Sequence, residues 1–165
     1  MGEASQDSVQ WLNQDERRTW LALHTVMTLL PATLDTDLQG LEGITLFDYH
    51  MLAMLSENED GQVSMTELAQ LSTSSPSRLS HVVKKLEQRG WVERTTYNGD
   101  ARVKMASLTP SGWDAVHRIA PHHVGTVRAL VLDCLDDKDV SDLGRVARKL
   151  VKALDNDHWI LNADA

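Results

Sequence analysis

Residues 75 to 90 carry a complete set of helix start and stop signals, and they constrain the fold more than any other stretch. Ser75 is a sound N-cap, Pro76 suits the first helical position, and Gly90 supplies a left-handed stop. Between them Leu79, Val82, Val83 and Leu86 recur at i, i+3, i+4 and i+7, a single apolar stripe that must face a core. The other face presents Ser77, Arg78, Ser80, His81, Lys84 and Lys85. Just upstream, Ser64-Met-Thr-Glu67 reads as a capping box opening a short helix over residues 65–71, with Leu68, Ala69 and Leu71 inward. Ser72 to Ser74 cannot easily continue that helix, because short hydroxyl side chains compete for the backbone. Two helices joined by a tight turn, the second basic outside and aliphatic inside, make a helix-turn-helix.

The flanking pattern completes the domain. Trp20, Leu23, Leu30 and Leu34 predict a helix over residues 13–38, which Pro31 should kink or split and which Gly40 and Gly43 close. Leu46, Tyr49, Leu52, Ala53 and Leu55 predict a second over residues 46–58, ending at an Asp60-Gly61 turn. After Gly90 the texture becomes strand-like over residues 91–97 and 103–108, with Asn98-Gly99 favouring a tight hairpin turn. Thr109-Pro110 then caps a helix over residues 111–134, bent at Pro121, and a last helix covers residues 139–155. No linker divides the chain. The expected fold is therefore mainly α: one domain, residues 1–165. A winged helix-turn-helix core with a two-stranded wing, residues 46–108, is flanked by N- and C-terminal helices over residues 13–38 and 111–155. Those terminal helices are apolar on more than one side, as dimerisation helices are.

Charge supports a polyanionic partner despite the average. The 165 residues carry a net charge of −8, yet Ser72 to Lys104 alone sums to +4 and the remainder to −12. A basic island of this kind is a local footprint for phosphate. The single cysteine, Cys134, cannot close an intrachain disulfide, so a reducing cytoplasm is expected. No run approaches the ~18–20 apolar residues of a membrane helix, and the polar, acidic N-terminus lacks a secretory pattern.

In this order and spacing, Met65-Thr-Glu-Leu-Ala69, the segment from Ser75 to Gly90, Asp100-Ala-Arg102 and Ser107-Leu-Thr-Pro-Ser-Gly112 resemble the MarR family of bacterial transcription regulators. The opening Trp11 to Trp20 and the Pro121 to Arg128 segment are similar to a branch common in actinobacteria. The resemblance implies a cytoplasmic homodimer on a palindromic double-stranded DNA operator, with the recognition helix in the major groove and the wing near the minor groove. It further implies a repressor relieved by a small aromatic or phenolic effector. Two departures stand out. Ala101 replaces the first arginine of the usual Asp-Arg-Arg wing, so only Arg102 carries over, and His81 stands where arginine is common.

On this reading Ser75, Ser77, Arg78, Ser80, His81, Lys84, Lys85 and Arg102 form the DNA-binding set. Arg78 is the first candidate for a base edge, Lys84 and Lys85 for phosphates, and Arg102 for a narrow minor groove, oriented by Asp100. Trp11, Trp20, His24 and His50 are the candidate effector-pocket residues. Enzyme chemistry is not expected: the seven histidines never form HExxH, and neither GxSxG nor a phosphate-loop glycine pattern occurs. No cofactor or metal site is expected. The rival readings are a metal-responsive regulator using His117, His122 and His123, a redox sensor at Cys134, and a winged helix that binds protein rather than a specific DNA site.

Overall fold

A computed structural model describes residues 9–58, 60–97, 100 and 102–162. The expected Asn98-Gly99 turn and the Ala101 departure fall outside the described residues. The chain divides into two units, residues 1–33 and 34–165, taken here in turn.

The first unit holds the beginning of helix α1 (Gln14–Glu42). Asn13 starts it: its side chain accepts from the N–H groups of Asp15 and Glu16, each at 2.9 Å, and the Glu16 carboxylate accepts from Asn13 N–H at 2.8 Å. Trp20, Leu21, Val26, Met27 and Leu29 are all exposed. Of the kink or split expected at Pro31, the split does not occur, because helical backbone continues through it. Proline takes its own N–H out of the ladder and its ring crowds the carbonyl four residues earlier; on either side of it the Thr28 and Thr33 hydroxyls donate to the carbonyls of His24 and Leu29, both at 2.9 Å.

In the second unit α1 ends with Leu34 and Leu38 buried, and Gly43 turns the chain with φ +65°. Gly40 lies inside the helix rather than at its exit. Helix α2 (Leu46–Ser56) opens on a capping box that sequence reading missed: Thr45 accepts from Asp48 N–H, and Asp48 accepts from Thr45 N–H. Strand β1 (Gln62–Ser64) leads into α3 (Met65–Leu71). Ser64 caps α3 through the Glu67 N–H at 3.2 Å, as expected of its hydroxyl. Helix α4 (Pro76–Gln88) follows, then β2 (Val92–Thr96), β3 (Lys104–Leu108) and α5 (Pro110–Val127).

The sheet has three antiparallel strands in the order β1-β3-β2, not the two expected. Ala106 is the shared partner of Val63 and Arg94. A three-residue strand offers too few positions for a period-2 pattern, so β1 is visible only once β3 is beside it. Around the sheet and α2–α5 closes one core that includes Leu38, Ile44, Met51, Leu52, Leu55 and Ile119, all 0% exposed. Gly112 marks its tightest joint. A Cβ there would lie 2.0 Å from the Trp91 carbonyl oxygen, so the first turn of α5 can abut the start of β2 only without a side chain.

Helix α5 gives way to a π-helical turn (Arg128–Leu132). Helix α6 (Asp137–Leu154) is opened by an Asp136–Asp139 capping box. Its expected stripe is in register but exposed: Leu143, Val146, Leu150 and Leu154 are 50%, 43%, 44% and 88% exposed. A 3-10 turn (Trp159–Leu161) ends the described chain. Among the described residues no helix is long and apolar enough to cross a membrane.

Candidate nucleic-acid interface

Helix α4 forms for the reasons its sequence gives. Ser75 Oγ accepts from Arg78 N–H at 3.3 Å, Pro76 occupies the first turn, and Gly90 has φ +72°. Leu79, Val82, Val83 and Leu86 are buried, which fixes the helix roll and leaves Ser77, Ser80, His81 and Lys84 in solvent. Ser80, His81 and Lys84 make no hydrogen bond or ion pair among the described residues. Ser77 Oγ shares a 3.2 Å contact with Ser75 Oγ at the helix N-terminus. Four donors or acceptors on one exposed helix face, next to a positive helix end, suit a phosphate-lined groove.

Two members of the expected set are not free. The Arg78 guanidinium lies 4.0 Å over the Phe47 ring of α2, a cation–π seat that would have to be left for a base edge to be reached. Lys85 Nζ is 2.5 Å from Asp48 Oδ2, and that carboxylate is 2% exposed. Lys85, expected as a phosphate clamp, is here the counter-ion of the buried Asp48. Consecutive residues of α2 thus hold two cations of α4, seven positions apart and on the flank that turns towards α2.

The rest of the basic island divides in the same way. Arg89 donates to the carbonyls of Glu42 at 3.0 Å and Gly43 at 2.7 Å, capping the end of α1. Arg94 pairs with Glu87 at 2.6 Å. Lys104 Nζ donates to Thr96 Oγ1 at 2.9 Å on the outer wing. Arg102 is open: its side chain is 91% exposed, and Asp100 accepts from its backbone N–H at 2.9 Å and its Nε at 3.2 Å. Those bonds hold the Asp100 carboxyl below its ordinary range. Sequence reading expected this orienting pair. It did not single out Lys104 and Arg94, which with Ser80, Thr95, Thr96 and Met65 line a hollow of about 410 Å³ between helix and wing. Cross-strand register alone brings them together.

The candidate effector residues belong to both units. Trp11 is 84% exposed, and Trp20 faces His24 with ring centroids 5.8 Å apart. All three belong to the first unit, whereas His50, in the second, is half-buried on α2 with its pKa lowered by burial. The histidines proposed for metal also separate. His117 tilts against Trp113, His122 Nε2 is 2.9 Å from Asp37 Oδ2, and His123 packs on Tyr49 with ring centroids 4.5 Å apart. Among the described residues no three His, Cys, Asp or Glu side chains converge on a metal site. Cys134 is exposed and donates to the Val131 carbonyl at 3.1 Å.

The model of the MarR family matches residues 44–104, which run from just before α2 to the start of β3. Sco3205, a MarR family transcriptional regulator from Streptomyces coelicolor solved in complex with DNA, is 36% identical. The match covers 90% of this chain and 93% of that one with a TM-score of 0.86. AbsC, a second MarR family regulator of the same organism, is 34% identical with a TM-score of 0.85, covering 88% of this chain and 98% of its own. The transcriptional repressor MprA of Escherichia coli is 26% identical over 114 residues, 69% of this chain and 64% of that protein. With more than a third of positions identical across about nine tenths of both chains, and with the winged helix-turn-helix geometry described above, this chain belongs to the MarR family of transcription regulators.

Proposed function

We propose that the chain is a homodimeric, sequence-specific DNA-binding regulator that lays α4 in the major groove and sets the Arg102 wing tip near the minor groove. One observation carries the reading. The apolar stripe of α4 is wholly spent on the core, so its polar face of Ser77, Ser80, His81 and Lys84 is left in solvent, the last three with no side-chain partner among the described residues, while the wing carries an open, oriented arginine. Ser77, Ser80 and His81 read base edges, Lys84 neutralises phosphate, and Lys104 and Arg94 add phosphate contacts from the wing. Arg78 and Lys85 act first as the supports that hold α4 against α2. Ser75, at the positive helix end, meets a phosphate.

The dimer reading is supported by α6, whose regular apolar stripe is exposed among the described residues. Two copies then meet half-sites ~34 Å apart, which requires a palindromic operator. Repression is the sense in which the related MprA is named, and relief by a small aromatic acid is assigned to this chain on family grounds. The exposed Trp20–His24 pair is available to it.

Selection of bound duplexes from a random pool tests the central claim. The expected result is a two-fold symmetric site enriched at moderate salt. A pool that stays random, with binding indifferent to sequence, would overturn it. Thermal shift against aromatic carboxylates tests the effector, which is abandoned if no compound moves the transition or releases the selected duplex.

A further inference from the structure

Helix α3, the first helix of the helix-turn-helix, ends in a Schellman arrangement: Ser74 N–H donates to Ala69 O at 3.0 Å and Thr73 N–H to Gln70 O at 3.1 Å. The pivot of that motif is normally glycine, because it needs positive φ. Here it is Thr73 at φ +49°, the one non-glycine residue in that region among the described residues. A β-branched side chain there is strained backbone that something must hold.

What holds it comes from the far end of the chain. His158 Nε2 lies 2.9 Å from Thr73 Oγ1, and Trp159 Nε1–H donates to the Leu71 carbonyl at 2.9 Å. That carbonyl belongs to the last turn of α3, where no intrahelical donor remains. The Ile160 N–H donates to His158 Nδ1 at 3.3 Å, which leaves Nε2 as the protonated nitrogen facing the threonine. Trp159 is half-buried and packs against the main core, beside a hollow of about 900 Å³ whose wall includes Met65, Pro76 and Leu79. Residues immediately following α6 therefore close the turn from which α4 starts.

We infer that Trp159 and His158 are positioning residues for the recognition helix: they fix the α3–α4 turn and so the presentation of Ser75 and the face behind it. The inference rests on the DNA reading above and extends it. It also explains why threonine occupies a position that strain would assign to glycine, since glycine would give His158 nothing to bond.

Amide exchange and DNA affinity, measured on full-length protein, test it together. The probes are the duplex selected with wild type and a scrambled duplex of equal length. Trp159→Phe keeps a ring and removes the N–H. It should speed exchange over residues 71–79 and weaken the selected duplex about five-fold, the worth of one ordinary hydrogen bond. Affinity for the scrambled duplex should stay level, a split that a general loss of stability would not produce. Thr73→Gly covers the case in which changes at Trp159 impair folding. It relieves the strained φ, so its thermal midpoint should hold or rise while the selected duplex again weakens. Exchange and affinity unchanged from wild type in both variants would overturn the inference. A wild type that enriches no duplex overturns the DNA reading instead, and the exchange data still decide whether the tail holds the turn.

Discussion

Lys84 and Lys85 are neighbours of one type on one helix, yet the structure gives them opposite work. Lys84 is exposed and has no side-chain partner among the described residues, whereas Lys85 neutralises Asp48, a carboxylate 2% exposed that also accepts from Thr45 N–H at 2.8 Å. Removing Lys85 leaves the buried Asp48 carboxylate without its counter-ion, whereas removing Asp48 takes away half of the α2 capping box and the partner of a lysine whose side chain is 37% exposed. Asp48→Ala should therefore cost about 2–4 kcal/mol of unfolding free energy, read by urea denaturation. Lys85→Ala should fall in the same direction. Lys84→Ala should stay within ~0.5 kcal/mol of wild type, yet weaken every duplex alike and lower the salt slope by about one. Equal stability losses for the two lysines would remove the distinction. Nothing in the sequence separates them, because the difference lies in Asp48, 37 positions upstream, arriving at one lysine and not the other.

At the scale of elements, the helices were legible wherever start, stripe and stop are written within one window: α3, α4 and the opening of α5 lie close to where spacing and caps put them. What stayed hidden depends on distant chain. Strand β1 exists by pairing with β3, the end of α1 is capped by Arg89 from just past α4, and the tail finds its acceptors 85 to 88 positions away. The recognition face was legible as a face, but which cations are consumed by the fold was not. The junction of α1, α2 and α5 is of the same kind, and it sets the response to acid. Burial pushes His123 below the ordinary imidazole range, and its Nδ1 is buried with no hydrogen-bond partner. Below about pH 6.5 the unfolded chain takes up a proton there that the folded chain refuses, so stability must decline. A second decline belongs to Asp37 and Glu42. Their carboxyls are held low by hydrogen bonds from His122 and Arg118, so the stability they lend is complete above the carboxylate range and lost as pH falls through it. His123→Phe should shrink the first limb of the curve of unfolding free energy against pH to the share that the buried His50 contributes, and spare the second. A first limb of undiminished size in that variant would place the proton uptake elsewhere.

For the whole molecule the question is how an acidic chain holds a polyanion. The −8 total is an average over an island of +4, and pairing reduces the island further, since Lys85, Arg94 and Arg102 each have a carboxylate. One copy therefore brings few unspent cations, and useful affinity demands two copies acting together. The place to break that cooperation is α6, whose apolar stripe is exposed along its length and whose capping box would survive a change in mid-helix. Val146→Asp sets a charge in the centre of the stripe without touching the core or α4. Sedimentation should show the wild type as a dimer and Val146→Asp shifted to monomer, with an unchanged helical spectrum. Should the pair neutralise six to ten phosphates, wild-type affinity should drop ~10³–10⁵-fold between 50 and 200 mM salt. The monomer should show about half that logarithmic slope, because each copy brings the same contacts and only their number changes. A variant that dissociates yet keeps the full slope would mean that one copy makes all the phosphate contacts, and the symmetric operator would have to be abandoned.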